Sequence, residues 1–391
     1  MKYILVIDHI ATGGAERILI DYYHYLKNRG NYPHIFVLSG HSGQSKWTED
    51  IENITYGSNN DEDNIIKKGI QQLSLYFKLK KLIQQVKPDV IFSFLEKSNL
   101  LTILVPSTVI KIVSVHNVLS IQYTKIKSPK IKDIVYHIIK WMYNKCPNVI
   151  AVSKQVKDDL VESFGVKPDN IRIINNYVDR VNIQIKAQEE IDNFIFLPDK
   201  KYIMNIGRFS DQKAQWKLLK AFSLYLKQAN EKTELVLMGH GEYTEELKKL
   251  AQKLQIEQHI TFLPFNINPY KYMKHAHLFV LSSIYEGFPI VLAEASSLRI
   301  PFLGTQKAIP EEMFNQKEIW EECVFKSSTL KRDFSTTIHQ DEQDLAKLIK
   351  RGVEDENFRQ KILASTALWE KNNIKKKQFE YYDSIANSTF L

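Results

Sequence analysis

Short apolar runs that end in a polar turn and lead into a helical stretch recur along both halves of this chain, and that repetition constrains its fold more than any other feature. The first instance is the run 3–8, then the turn Thr12-Gly13-Gly14, then a helical pattern over roughly 15–29. Further apolar runs at 33–39, 89–94, 111–115 and 148–152 read as strands, with helical patterns between several of them. Strands buried on both faces appear as unbroken apolar runs, so the pattern predicts a parallel sheet covered by helices on both sides. Lys87-Pro88-Asp89 fits this reading, because proline stops the helix that precedes a strand.

The second half repeats the plan. Run 202–207 precedes a helix over 213–229, and run 233–238 precedes Gly239-His240-Gly241 and a helix over 243–255. Strands follow at 260–263 and 277–281, then a helix opening near Pro289, where proline's missing donor has no partner to lose. Helices fill most of 340–387. At 391 residues the chain is too long for one ordinary core. The expectation is an α/β chain with two doubly wound domains, 1–180 and 181–370, the polar stretch 180–200 as linker, and a terminal helix in 371–391. Tandem domains of this kind bind ligands in a cleft at the carboxyl ends of their strands.

Charge is uneven. Residues 1–180 hold 24 Lys and Arg against 17 Asp and Glu, while the remainder is close to neutral. A basic half can face a membrane surface, an anionic acceptor or nucleic acid. Between Lys125 and Lys145 stand Lys125, Lys127, Lys130, Lys132, Lys140 and Lys145 against Asp133 alone, with Ile131, Ile134, Val135, Ile138 and Met142 at helical spacing. The plainer reading, preferred for these apolar residues, is a core-facing stripe with its lysines in water. The alternative sets the lysines and Trp141 against an anionic membrane leaflet. Nucleic-acid binding is not expected, because the lysines are not interleaved with a recognised motif. Two cysteines cannot form a staple framework, so free thiols and a reducing, cytoplasmic compartment are expected. The opening run lacks the length and cleavage site of a secretory signal, and no apolar stretch approaches the ~20 residues of a membrane span.

Four segments could carry chemistry. In Asn205-Ile206-Gly207-Arg208-Phe209 with Lys213, a glycine at a strand end lets backbone approach a ligand, and two cations beside it can grip a diphosphate. In Tyr285-Glu286-Gly287-Phe288-Pro289 with Glu294, two acids border a helix start whose N–H groups favour phosphate, and Glu294 can accept hydrogen bonds from paired ribose hydroxyls. Gly13 and Gly14 could let backbone donors approach a phosphate, although the segment lacks the third glycine of a dinucleotide fingerprint. His116 ends a strand and could face the cleft. Each segment alone also has a structural reading: surface cations, a turn acid, a solvated helix acid, a satisfied histidine.

Taken in order, these segments resemble retaining glycosyltransferases of family 4, which have the GT-B fold, and more narrowly the bacterial enzymes of surface polysaccharide or lipid-linked oligosaccharide synthesis. Val152-Ser153-Lys154, Asn175-Asn176-Tyr177-Val178-Asp179 and Gly239-His240-Gly241 belong to the same resemblance. It implies two Rossmann-like domains facing a cleft and a terminal helix crossing back to the first domain. It also implies a nucleotide diphosphate sugar as donor, with uridine as the base, and no metal or other cofactor. By residue, Arg208 and Lys213 would hold the diphosphate, and Glu286 with the backbone of Gly287 and Phe288 would contact the donor sugar. Glu294 would hold the ribose, Gly13 and Gly14 would allow domain closure, and His116 would stabilise the transition state. The expected place of action is the inner face of the cytoplasmic membrane, with a glycan or lipid-linked acceptor.

The sequence departs from the family pattern at Arg299, where a small glycine is usual, and after Gly304-Thr305, so no site residue is assigned in 305–340. Two rivals remain. One is a metal-dependent transferase using Asp61-Glu62-Asp63, whose polar surroundings instead suggest a solvated loop. The other is a non-catalytic sugar-nucleotide-binding or scaffold subunit of a polysaccharide assembly complex.

Overall fold

A computed structural model describes every residue except 11–12, 41–45, 59–64, 192–193, 230–231, 328–330 and 389–391. Thr12 and Asp61-Glu62-Asp63 therefore lie outside the described residues, as does the Lys125 side chain. The chain divides into two compact units, 1–176 with 376–391, and 177–375. The sequence pattern had suggested breaks near 180 and 370; the observed ones fall at 176 and 375.

The first unit holds strands β1 (Lys2–Ile7), β2 (Tyr32–Ser39), β3 (Ile54–Ser58), β4 (Val90–Phe94), β5 (Ile110–Val115), β6 (Val149–Ala151) and β7 (Ile171–Ile173). They form one parallel sheet in the order β3-β2-β1-β4-β5-β6-β7. Its helices are α1 (Gly14–Asn28), α2 (Ile65–Val86), α3 (Glu96–Leu104), α4 (Leu119–Gln122), α5 (Pro129–Lys145) and α6 (Lys154–Phe164). The short strands β3 and β7 escaped the sequence reading. They are edge strands, and an edge strand of three to five residues lacks the apolar run that marks a central one.

In the second unit, α7 (Arg180–Lys186) precedes β8 (Lys201–Ile206), α8 (Gln215–Leu226), β9 (Thr233–Met238), α9 (Thr244–Lys253), β10 (Ile260–Leu263), α10 (Tyr270–Met273) and β11 (Leu278–Leu281). Then come α11 (Ile290–Ser297), β12 (Phe302–Thr305), α12 (Lys317–Cys323), β13 (Val324–Phe325), α13 (Gln340–Glu354) and α14 (Glu356–Asn372). The parallel sheet runs β10-β9-β8-β11-β12-β13. The stretch 180–200 is not all linker: Asp179 caps α7 by accepting from the Asn182 N–H at 3.1 Å.

The last helix, α15 (Lys375–Ser388), packs on the first unit. Tyr22 and Tyr25 of α1 donate to the two Asp383 carboxylate oxygens at 3.0 Å each, and Tyr22 lies 5.1 Å from the Phe379 ring. Two phenol donors, Tyr22 buried and Tyr25 half-buried, aimed at one acid fix the helix position as well as its contact area.

One expectation fails in α5. Its buried residues are Ile139, Met142 and Tyr143, whereas Ile131, Ile134 and Ile138 face solvent. The apolar residues of this helix make two stripes, and only one meets the sheet. Helical spacing alone does not say which stripe that is.

Candidate active site

In the second sheet, the chain moves outward from β8 to β9 and β10 and then returns to the other side of β8 as β11. The carboxyl ends of β8 and β11 therefore mark the switch point, where an open α/β sheet leaves a crevice. The loops 207–214 and 282–289 meet there. Ile284 N–H donates to the Gln212 carbonyl at 2.7 Å, the Ser282 hydroxyl to the Lys213 carbonyl at 2.8 Å, and Gln212 Nε2 to the Tyr285 carbonyl at 3.1 Å. The next loop braces them: Gly239 (φ +145°) lies so close that a Cβ would stand 2.1 Å from the Gly207 carbonyl oxygen, which only glycine permits.

This scaffold brings Lys213 and Glu286 together, with Nζ 2.6 Å from Oε1. Glu286 is nearly buried and Lys213 is partly exposed. Lys213 precedes α8 rather than lying in it, and the residue after it, Ala214, adopts left-handed backbone (φ 46°, ψ 43°). That conformation costs an L-residue ~1 kcal/mol or more and persists only where surrounding bonds impose it. Arg208 is exposed, and its guanidinium has no partner among the described residues. The Glu286 N–H donates to the Lys307 carbonyl at 3.1 Å, whereas no backbone carbonyl among the described residues accepts from Gly287 or Phe288. Phe288 is buried and stacks on Trp369 at 5.5 Å.

Pro289 caps α11, and Ile290 is its first helical residue. Glu294 sits one turn further on, buried, and accepts from Tyr270 Oη at 2.7 Å. It is thus neither solvated nor on an open surface.

The first sheet has its own switch point between β1 and β4. Asp8 follows β1 and accepts from the Ser98 N–H and hydroxyl at 2.7 and 2.6 Å. Glu96 follows β4 directly after Leu95, whose φ of 76° is a pronounced outlier for a branched residue. Burial, and then the Asp8 charge, push the Glu96 carboxyl up to about 7. Its Oε1 is shut off from solvent and has no partner among the described residues. His116, at the end of β5, is similar: its Nε2 is enclosed and unpartnered among the described residues, and burial lowers its pKa to about 4. A histidine so placed is neutral at pH 7 and offers hydrogen bonds instead of charge. Gly13 caps α1 and Gly14 begins it, but the buried Glu16 carboxylate lies against them: a Cβ on Gly13 would meet Glu16 Oε2 at 2.4 Å. Glu16 also faces His9 Nε2 at 3.4 Å. A negative group already occupies the place where the sequence suggested a phosphate.

Two family models divide the chain. Glycosyltransferase Family 4 matches residues 12–181, and Glycosyl transferases group 1 matches 187–367. A curated relative from Campylobacter jejuni is 30% identical over 260 residues, which is 66% of this chain and 68% of the relative. That relative is the N-acetylgalactosamine-N,N'-diacetylbacillosaminyl-diphospho-undecaprenol 4-alpha-N-acetylgalactosaminyltransferase. The chain belongs to the group 1 glycosyltransferases. An uncharacterized glycosyltransferase of Methanocaldococcus jannaschii is 27% identical, covering 73% of this chain and 76% of that protein. Among solved structures, Anabaena HepE in complex with UDP and glucose superposes with a TM-score of 0.76 at 17% identity, covering 99% of this chain and all of that one. That likeness shows the GT-B fold.

Sequence reasoning missed several groups at the glycosyltransferase's two switch points. Asp8 and Glu96 each directly follow an apolar strand, and that position was a usable signal. Gln212, Tyr270 and the Lys307 carbonyl carried none, because each reaches its partner across 21 residues or more. Among the described residues, no three His, Cys, Asp or Glu side chains group as metal ligands, and no helix is long and apolar enough to cross a membrane.

Proposed function

We propose that the chain transfers a hexose or N-acetylhexosamine, with retention at the anomeric carbon and without a bound metal, from a nucleotide diphosphate sugar to a glycan or lipid-linked acceptor. The Lys213–Glu286 pair at the switch point of the second sheet carries this reading. When the bond from C1 to the diphosphate breaks, negative charge builds on the leaving oxygen. A cation already fixed within reach of that oxygen stabilises it without reorganising. Lys213 is held by Glu286 until a diphosphate arrives, and Arg208 adds a second, unengaged cation. Glu286 then faces the sugar, with the Gly287 and Phe288 N–H groups beside it. Glu294, oriented by Tyr270, takes the ribose hydroxyls. His116, neutral, hydrogen-bonds the sugar in the transition state. Lys213 held by Glu286, the Arg208 guanidinium, unpartnered among the described residues, and a helix start supply what a divalent ion supplies elsewhere.

A uridine base and an undecaprenyl-type acceptor are favoured by what the relatives' names state: UDP bound by HepE, and a diphospho-undecaprenol substrate for the Campylobacter enzyme. Action on the inner leaflet of the cytoplasmic membrane follows from such an acceptor. The test incubates the purified chain with a panel of UDP-sugars, lipid-linked and free acceptors, and chelator, and reads the anomeric configuration of the product by NMR. An α-linked product from an α-linked donor, formed at undiminished rate in chelator, is expected. An inverted product, or activity abolished by chelator and restored by a divalent ion, would overturn the reading.

A further inference from the structure

The segment 331–339, which leads into α13, contains no helix or strand, yet it is tied to the second unit along its length. Lys220 of α8 is fully buried, with Nζ 2.5 Å from Asp333 Oδ2 and 2.9 Å from the Thr337 carbonyl. Phe334 meets Trp216 of α8 edge-on at 5.7 Å, and Tyr243, just before α9, at 5.4 Å. An ion pair taken out of water gains little net stability, because desolvation offsets the attraction, but it holds its partners to one arrangement. Arg332 directly precedes Asp333, so its backbone is held by these anchors.

The Arg332 side chain reaches the loop 207–214. Its Nη1 donates to the Tyr243 hydroxyl, which donates in turn to Asp211 Oδ1 at 3.0 Å. The same Nη1 lies 3.9 Å from that oxygen, and the guanidinium stands over the Tyr243 ring, 4.9 Å from its centre. Asp211 is the one acid in 207–214, three residues after Arg208 and two before Lys213. A carboxylate so near two cations is a competitor. Free to turn, it would pair with Arg208 and repel a diphosphate. In the structure it is engaged by Tyr243 and Arg332 instead, and the Arg208 guanidinium has no partner among the described residues.

We propose that Arg332 is a positioning residue for the diphosphate. Directly and through Tyr243, it keeps Asp211 engaged and offsets its charge, so that Arg208 and Lys213 stay available. The inference rests on the reading of those two cations as the diphosphate's partners. It adds a residue from 305–340, where the family pattern assigned none.

The test is calorimetry on the full chain with UDP and with inorganic pyrophosphate, together with donor kinetics. Arg332→Gln should weaken binding of both probes about tenfold, and raise KM for the nucleotide sugar with a smaller loss in kcat. Adding Asp211→Asn to that variant should restore most of the affinity, because the acid that Arg332 restrains is then gone. Asp211→Asn alone should bind at least as well as the wild type. A residue that merely braces the fold would not be rescued by removing its partner. Arg332→Lys keeps the charge without the planar fork and should fall between Arg332→Gln and the wild type. Arg332 is exposed, so unchanged thermal melting confirms folded variants. Wild-type affinity in Arg332→Gln would overturn this proposal alone. So would a loss that Asp211→Asn does not relieve, because Arg332 would then touch the ligand itself or serve the fold. A wild type that binds neither probe would overturn the assignment of Arg208 and Lys213, and this proposal with it.

Discussion

The two switch points are built from opposite materials. In the second unit, the corner between β8 and β11 is balanced: Lys213 meets Glu286, Gln212 ties the two loops, and Tyr270 holds Glu294. In the first, the corner between β1 and β4 holds Asp8 and Glu96, with His116 at the end of the neighbouring β5, and enclosed atoms of Glu96 and His116 are unpartnered among the described residues. Both corners use a non-glycine residue at positive φ, Ala214 before α8 and Leu95 before α3. Strained backbone at matching places shows the same fold holding side chains at a strand end in both units. The difference is in charge. A corner with one paired lysine and one arginine unpaired among the described residues offers cations that can turn to a diphosphate. One with buried carboxyl and imidazole groups suits neutral hydroxyls, which can supply the missing hydrogen bonds without bringing charge.

The comparison breaks most easily at the lysine. Lys213→Ala and Arg208→Ala should each lower kcat by roughly 10²–10³-fold, the usual loss for one preorganised charge stabiliser. Lys213→Ala also leaves Glu286 nearly buried without its partner, so some loss of thermal stability should accompany it; Arg208, exposed, should lose activity alone. Near-normal turnover in both variants would place the diphosphate elsewhere.

The first corner is sharpened by pH. Glu96 binds its proton more tightly folded than unfolded, so between about 4.5 and about 7 the folded chain carries the extra proton. Stability contributed by this group is present below that window, falls as pH rises through it, and is flat above. The shift bounds the effect at ~3 kcal/mol. His116 acts the other way: its lowered pKa removes stability as pH falls from about 6.5 through about 4. Between pH 5 and about 6.5 the two groups oppose each other in the wild type, so denaturant unfolding across pH 5–8 should show Glu96→Gln gaining stability relative to the wild type as pH rises, because the variant keeps only the His116 contribution. Parallel curves for the two proteins would mean that Glu96 is ionised in the folded chain.

A smaller effect is expected at Glu294, the acid proposed to take the ribose hydroxyls. Tyr270→Phe removes one hydrogen bond from a buried carboxylate and should weaken nucleotide diphosphate binding by up to about tenfold, with kcat little changed. Glu294→Ala should weaken it further. Unchanged nucleotide affinity in Glu294→Ala, measured by calorimetry, would count against the ribose role.

Much of the second corner was legible because its parts are close in sequence to a strand end. Arg208, Lys213 and Glu286 each follow a strand end within one short loop, and Glu294 stands one turn into the helix that comes next. What could not be read was which lysine of α8 and its approach is available. Lys217 and Lys220 look equivalent to Lys213 in sequence, yet both are buried and paired, Lys217 with Asp341 and Lys220 with Asp333 at 2.5 Å. Those partners lie more than a hundred residues away, and spacing carries no information at that distance. The same limit explains α5, where periodicity found an apolar stripe but the packing partner of the other stripe decided which one is buried.

Arg299 provides the finest test, because it separates family pattern from local physics. The sequence places arginine where the family often has glycine. In the structure α11 ends in a two-bond closure, with Ile300 N–H donating to the Ala295 carbonyl at 2.9 Å and Arg299 N–H to the Ser296 carbonyl at 2.8 Å. That closure requires left-handed backbone at the residue after the cap, and Arg299 has φ 57°. Glycine adopts this conformation without the Cβ penalty but loses more entropy on folding, so the two effects partly cancel. Arg299→Gly should therefore stabilise the chain by about 0.5–1 kcal/mol in denaturant unfolding and leave transfer unchanged, since α11 keeps Glu294 in place either way. A destabilised variant would mean that the arginine side chain contributes more at this position than its strained backbone costs.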